Sequence, residues 1–273
     1  GYATAMIGKW HLITLPTGFD HWEIVPGQGD YYNPGFITKK EGTEPKGVPD
    51  EPYDTHTEKG YLTDIITDKA IDWMEHRDKD KPFALFIHHK ACHRCWLPPM
   101  KYLKEYEDQT FPLPDNFYDE YEGRKAAGEA EMNIGKHMTL DYDCKILLPE
   151  TASELRDTYL YMINRLDSAD RVTYMETYEP IIKDFQEKKP TGRALAEYKY
   201  QRFMRDYAKV VKSLDDNVGR VLDYLEENGL LDNTLVVYTS DQGFYMGEHG
   251  WFDKRFMYQE SFSTPLVMRL PKG

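Results

Sequence analysis

The stretch Phe83-Ala84-Leu85-Phe86-Ile87, followed directly by His88-His89-Lys90, decides the fold class of this chain. Five consecutive apolar residues are typical of a strand that is buried on both faces of a mainly parallel sheet. Before this strand, residues 61–77 repeat apolar side chains at helical spacing, with Asp and Lys between them, which predicts an amphipathic helix. A helix, a buried strand and then a polar loop is the order found in α/β sheets.

The same order recurs near the end of the chain. Residues 195–228 carry one long apolar stripe and are predicted as a helix, with Gly229 as its left-handed stop. Residues 235–239 follow as a second buried strand and lead into Ser240-Asp241-Gln242-Gly243. A first strand over residues 3–12 and a helix over 153–166 complete the pattern. We therefore expect an α/β fold with a mainly parallel central sheet, flanked by helices on both faces and incomplete at both ends.

Two regions lack this regularity. Residues 12–60 are rich in Pro, Gly, Tyr and Asp without sustained periodicity, and residues 109–195 are polar and weakly patterned outside the helix predicted over 153–166. Chain segments of this length without regular structure are usually functional loops or insertions. We expect both to be variable loop or insertion regions.

Composition excludes some functions. The 273 residues contain 34 Lys+Arg and 47 Asp+Glu, a net charge of −13, which argues against binding to nucleic acid through its phosphates. No apolar run approaches the ~18–20 residues that span a membrane. The three cysteines, Cys92, Cys95 and Cys144, form no disulfide framework, and a lone C-x-x-C pattern is weak evidence for zinc or redox use.

Three loops that follow predicted strands carry most of the residues capable of catalysis or binding. They hold, in order, Lys9 and His11; His88, His89, Lys90, His93 and Arg94; and Asp241, Gln242, His249 and Lys254. If they open on one sheet edge, they form a pocket for a ligand. Carboxylate and amide oxygens suit Ca²⁺ or Mg²⁺ rather than zinc, while lysine and histidine suit a tetrahedral oxyanion. The residues alone indicate hydrolysis of a sulfate or phosphate ester.

These motifs resemble those of the formylglycine-dependent sulfatases, within the alkaline phosphatase superfamily. The resemblance rests on residues 1–11 (GYATAMIGKWH), on residues 89–93 (HKACH) and on residues 240–255, which run from Ser240-Asp241-Gln242-Gly243 to Lys254-Arg255. The closest type is that of bacterial carbohydrate sulfatases such as N-acetylglucosamine-6-sulfatases. The resemblance implies an alkaline-phosphatase-like fold and places residues 1–273 within the amino-terminal catalytic domain.

The resemblance also implies roles for individual residues. Lys9 and His11 would contact the catalytic residue and the sulfate, His93 would be the general acid, and Lys254 would bind sulfate. Asp241 and Gln242 would be two ligands of a calcium ion, with Mg²⁺ as the alternative. Substrate contacts are assigned to Lys90, Arg94, Trp96 and His249, although Trp96 is also interpretable as a core residue.

The family nucleophile is formylglycine, made from Cys or Ser in a C/S-x-P-S-R motif. No such motif occurs in these residues, so it is expected upstream of residue 1, and this chain alone is expected to be inactive. Cys92 stands where the family usually has Pro, which suggests a freer backbone before His93.

The implied function is hydrolysis of a sulfate ester on a sugar of glycosaminoglycan or mucin type, by formylglycine hydrate attack on sulfur with calcium. The expected partner is a sulfated carbohydrate, in the periplasm or outside the cell. Two alternatives remain open: a phosphoester hydrolase of the same superfamily, and a non-catalytic protein that binds sulfated glycans.

Overall fold

The apolar strand predicted over residues 83–87 belongs to a five-stranded sheet in the computed structural model, which describes residues 1–40, 42–48 and 51–272. The order across this sheet is β4-β3-β2-β1-β5. The strands are β1 (Ala3–Trp10), β2 (His21–Pro26), β3 (Gly35–Lys39), β4 (Tyr53–Thr57) and β5 (Phe83–His88). β1 is parallel to β2 and β5, whereas β3 is antiparallel to β2 and β4, so the sheet is mixed.

The expectation that residues 12–60 are irregular is wrong, because β2, β3 and β4 come from them. Their strands are only five or six residues long, and Pro- and Gly-rich turns separate them, which hides the alternation. The expectation that β5 is buried on both faces is also wrong. β5 is an edge strand of the described sheet, and 49% of the Phe86 side chain is exposed.

The three predicted helices are present as α1 (Leu62–His76), α3 (Arg156–Asn164) and α5 (Gly192–Glu227). The structure adds the short helices α2 (Lys125–Gly128) and α6 (Gln259–Phe262), which were not predicted. The long helix α4 (Ser168–Lys188) was not predicted either. It buries only Tyr174 and Tyr178 among its 21 residues, so it lacks a wide apolar stripe. In the described part of the chain, no helix has both the length and the apolar character that crossing a membrane requires.

The chain divides into two compact units. The first contains Gly1–His93, Tyr161–Ala169 and Val210–Asn228, and the second contains Arg94–Leu160, Asp170–Lys209 and Gly229–Gly273. In the first unit, the apolar face of α1 packs on one face of the sheet through Leu62, Ile65 and Ile66. Each such side chain contributes roughly 1.5–3 kcal/mol on full burial.

On the opposite face of this sheet, Met6, Trp22 and Ile24 pack with Leu15 and Phe19 of the loop after β1. Loop side chains, rather than a helix, therefore contribute to the core on this face of the first unit.

The second unit contains two small antiparallel sheets. β6 (Val236–Thr239) pairs with β9 (Leu266–Arg269), and β7 (Tyr245–Met246) pairs with β8 (Phe252–Asp253). β6 was predicted as a buried strand of the central sheet. Among the described residues it pairs with β9 instead, and most of its side chains are exposed.

A buried network of charges lies at the centre of the second unit. Arg202 donates to Glu107 at 2.6 and 2.8 Å and to Asp206 at 2.6 Å. Lys145 and Lys209 also face Asp206, with nitrogen–oxygen distances of 3.4 and 3.3 Å. Three cations thus share two carboxylates, and their side chains are buried except that of Glu107, which is 27% exposed.

Candidate functional site

In the first unit, the parallel pairing of β1 with β5 brings the first two polar loops together. The register places Gly8 opposite His88, at the carboxyl ends of both strands. Gly8 has φ of +117°, and a Cβ there would lie 2.1 Å from the carbonyl oxygen of His88. Only glycine allows this approach. Lys9 is the next residue of β1, Trp10 ends the strand, and exposed His11 follows it.

Gln28 joins the two lysines of these loops. Lys9 Nζ donates to Gln28 Oε1 at 2.9 Å, and Lys90 Nζ donates to the Gln28 carbonyl oxygen at 2.8 Å. Lys90 is buried, and its Nζ lies 5.0 Å from the centre of the Tyr31 ring. The structure thus places two cationic side chains at one edge of the sheet, where a cluster of positive charge attracts an anion.

Gln28 was not predicted as a site residue; it lies between Gly27 and Gly29, just after the end of β2 at Pro26. Both glycines adopt positive φ, of 57° and 66°. The Gly-x-Gly pattern at a strand end was the available signal, but it became meaningful only once β2 was known to be a strand.

Two backbone hydrogen bonds hold the loop around His93. The His93 amide donates to the Lys90 carbonyl at 2.9 Å, and the Tyr31 hydroxyl donates to the His93 carbonyl at 2.7 Å. The free backbone that we expected from Cys92 is therefore not observed. His93 is half-buried in a turn that these two hydrogen bonds hold.

The neighbouring histidines differ in their environments. His88 is exposed, whereas burial lowers the pKa of His89 to about 4, with a smaller contribution from His88. His89 is therefore neutral near pH 7, and its Nδ1 atom is buried without a hydrogen-bond partner among the described residues.

In the second unit, the loop after β6 lies against α6. Asp241 is exposed, and Gln242 is half-buried. The Gln242 Nε2 atom donates to the Ser261 carbonyl oxygen at 2.5 Å, so the amide oxygen Oε1 is the atom that remains to accept or to ligate. Ser261 also contacts Lys254, because the Ser261 hydroxyl donates to the backbone carbonyl oxygen of Lys254 at 2.8 Å.

The donor atoms of Asp241 and Gln242 fit a hard divalent cation, since both residues offer oxygen. Two residues make only part of such a site. Groups of three ligating side chains occur elsewhere among the described residues, at Glu23-His56-Glu58 and at Asp72-Glu75-His76. In the first of these groups the Lys69 ammonium already contacts both carboxylates.

His249 lies between two carboxylates. Its Nδ1 atom is 2.8 Å from Asp119 Oδ2, and its Nε2 atom is 3.7 Å from Glu260 Oε1. Burial alone would raise the pKa of Asp119, but hydrogen bonds from Arg124, His249 and the Tyr121 amide lower it to about 2. Asp119 is therefore an ionised acceptor for the imidazole at neutral pH. Nothing in the local sequence pointed to Asp119, which is 130 residues away.

The side chains of Arg94 and Trp96 differ in their exposure to solvent. Arg94 makes a two-point ion pair with buried Asp143, at 2.6 and 2.7 Å, and its side chain remains 24% exposed. The Trp96 side chain is fully buried, and its ring lies 4.5 Å from that of Phe203. A buried indole offers no face to a sugar, so the expectation that Trp96 binds substrate is corrected to a role in the core.

The folded arrangement and the residues at its strand ends define a class of protein. The chain belongs to the sulfatase family, whose model matches residues 1–273.

Among particular relatives, the chain is 48% identical to an N-acetylglucosamine-6-O-sulfatase of Bacteroides thetaiotaomicron, over 100% of this chain and 48% of the relative. It is 22% identical to human N-acetylglucosamine-6-sulfatase, over 99% of this chain and 39% of the relative. The chain thus spans about half the length of the curated relatives that it matches, or less.

A solved structure of high similarity matches the whole chain. This is BT4656 in complex with its substrate D-glucosamine-2-N,6-O-disulfate, with a TM-score of 0.88 and 48% identity over 100% of this chain and 53% of that one. The similarity confirms the expected alkaline-phosphatase-like α/β fold, a mixed central sheet with helices beside it.

Proposed function

We propose that the protein hydrolyses a sulfate ester on a sugar, and that its substrate is a glucosamine carrying a 6-O-sulfate, of the glycosaminoglycan or mucin type. The observation that carries this proposal is the 48% identity, along the whole chain, to an N-acetylglucosamine-6-O-sulfatase. The arrangement of residues in each unit supports the same reaction, and the roles are assigned one unit at a time.

The first unit supplies cationic side chains and a proton donor. Lys9 and Lys90, both held by Gln28, neutralise the charge of the sulfate group. Such preorganised charge usually contributes most to catalysis, because it needs no rearrangement during the reaction. His11 contacts the sulfate beside Lys9, and His93 donates a proton to the leaving sugar oxygen from its fixed turn.

The second unit supplies oxygen ligands and a further lysine. Asp241 and the Oε1 atom of Gln242 would hold a calcium ion, with Mg²⁺ as the alternative, and this ion would neutralise charge on the sulfate. Lys254 binds the sulfate, while His249 and Arg94 contact sugar hydroxyl groups. A formylglycine would supply the nucleophile, although residues 1–273 contain no C/S-x-P-S-R motif from which it is made. A location in the periplasm or outside the cell suits an enzyme that acts on glycans.

The test is sulfate release by the full-length protein from glucosamine 6-O-sulfate, with glucosamine 6-phosphate as the competing substrate. His93→Ala and Lys254→Ala should each lower kcat/KM at least ~10²-fold, the usual cost of losing a proton donor or a charge-stabilising group. His76→Ala is the control, because this histidine is exposed on α1.

Three results would contradict the proposal. Faster release of phosphate than of sulfate would favour the phosphoester hydrolase. Tight binding of the sulfated sugar without turnover would favour the glycan-binding alternative. Near wild-type rates in either variant would remove that residue from its assigned role.

A further inference from the structure

Ser261, in the short helix α6, contacts two of the residues proposed for the sulfate and metal chemistry. Its side chain is only 2% exposed. Its carbonyl oxygen accepts from Gln242 Nε2 at 2.5 Å, and its hydroxyl donates to the Lys254 carbonyl oxygen at 2.8 Å. We propose that Ser261 is a positioning residue that orients the Gln242 amide toward the metal and ties it to the Lys254 loop. This inference rests on the proposed function and extends it to a residue to which that function assigns no contact with substrate or metal.

The Ser261 carbonyl oxygen determines the orientation of the Gln242 amide. A carbonyl oxygen only accepts hydrogen bonds, so the group of Gln242 that faces the Ser261 carbonyl has to be its NH₂. The Ser261 carbonyl also accepts from the Gly243 amide at 3.1 Å, which holds it in place. The reversed amide would bring two oxygens together, and it is excluded. Oε1 is therefore the atom available for a cation.

The Ser261 hydroxyl group contacts both Gln242 and Lys254. A serine hydroxyl has one proton, and Ser261 uses it on the Lys254 carbonyl oxygen. Toward Gln242 Nε2, at 3.1 Å, the same oxygen therefore acts as an acceptor. One hydroxyl thus connects the Gln242 side chain to the backbone of Lys254, and a residue without a hydroxyl breaks both contacts.

The backbone at Gly243 and the backbone of α6 approach each other closely. A Cβ at Gly243 would lie 2.2 Å from the Glu260 carbonyl oxygen and 2.6 Å from that of Ser263. The backbone after Gln242 therefore rests directly on the backbone of α6. At this distance, small shifts of Ser261 are passed on to Gln242.

The experiment compares Ser261→Ala, Ser261→Thr and the control Ser263→Ala in the full-length protein. Ser263 is the same residue type two positions away, but it is exposed and its hydroxyl accepts from Gln259. Two equilibrium constants are measured without turnover: the Kd for Ca²⁺ after treatment with a chelator, by calorimetry, and the Kd for inorganic sulfate, by competition. Thermal midpoints in the presence of chelator report separately on stability.

Ser261→Ala should weaken both Ca²⁺ and sulfate binding about fivefold, because the hydroxyl contacts to Gln242 and to Lys254 are each worth roughly 1 kcal/mol, while the backbone carbonyl contact to Gln242 remains. Ser261→Thr should restore both constants to within about twofold, because it keeps the hydroxyl, and Ser263→Ala should match the wild type. If Ser261→Ala does not fold, Ser261→Cys, with its weak S–H donor, should show an intermediate loss.

Unchanged constants in Ser261→Ala, or in Ser261→Cys if the alanine variant does not fold, would overturn the inference. A threonine variant as impaired as the alanine variant, or a wild-type protein that binds no Ca²⁺, would overturn it as well. A failure of the proposed function is distinguishable, since it shows as absent sulfate release by the wild type whatever these binding constants are.

Discussion

Replacing Asp206 with asparagine tests whether the buried charge network stabilises the second unit. The side chain is fully buried and faces Arg202 at 2.6 Å, Lys209 at 3.3 Å and Lys145 at 3.4 Å. Asparagine keeps the size of the side chain but removes its charge. Arg202 and Lys209 would then keep only the carboxylate of Glu107, and Lys145 would lose the carboxylate that it faces.

The expected loss follows from the cost of leaving buried charges without a partner. Breaking a buried ion pair by removing one member typically costs about 3–5 kcal/mol. For a chain of this size, each kcal/mol shifts the thermal midpoint by roughly 2–4 °C, which gives a decrease of about 6–20 °C at pH 7. Circular dichroism during heating measures this shift. The control is Asp232→Asn, whose exposed carboxylate pairs with Arg269 and Lys272 at the surface and should leave the midpoint unchanged.

The pH dependence gives a second measurement on the same variant. Burial alone would raise the pKa of Asp206, but Arg202, Lys145 and Lys209 hold it well below its usual range. A carboxyl group whose folded pKa is depressed contributes stability that is complete above its unfolded pKa, about 3.9, and is lost as the pH falls below it. The midpoint difference between wild type and variant should therefore be constant from about pH 5 to 8 and narrow below about pH 4. A midpoint within 2 °C of the wild type at pH 7, or a difference that grows in acid, would refute this reasoning.

Two further changes test the predicted site. Gly8→Ala should destabilise the protein by about 2 kcal/mol or more and reduce turnover, because the new Cβ meets the His88 carbonyl and φ at residue 8 is positive. An alanine variant with the wild-type thermal midpoint and the wild-type kcat would contradict the close approach of β1 and β5. Asp119→Asn should raise KM for the sulfated sugar roughly threefold to tenfold with little change in kcat, because His249 loses its ionised acceptor. Since the pKa of Asp119 is about 2, its carboxylate stays ionised between about pH 5 and 8, and an unchanged KM would remove His249 from the sugar-binding group.

The elements with strong local periodicity were predictable from the sequence. α1 and α5 were predicted within three residues at each end, because each carries an apolar stripe over many turns. β5 was predicted from its run of five consecutive apolar residues, and β1 from a short strand pattern that leads into a polar turn. The short strands β2 to β4 were missed, since five or six residues between glycines and prolines show too little alternation to distinguish them from a loop.

Local motifs indicated the chemistry in the same way. Lys9, Lys90 and His93 were proposed from the sequence, because strand ends that carry lysine and histidine suggest an anion site whatever the rest of the chain does. Their assignment to catalysis stays a prediction. The structure adds that Lys9 and Lys90 meet at Gln28, which joins three strand ends that are far apart along the chain.

What the sequence by itself determined was therefore the α/β class, the family and the candidate residues, because these depend on periodicity and short motifs. The tertiary structure alone decided which side chains are accessible and which residues hold them. It placed Trp96 in the core, Asp119 against His249, and Ser261 between Gln242 and Lys254. The physical reason is that burial and hydrogen bonding between residues distant in the chain depend on how the segments pack together, which no local pattern of residues encodes.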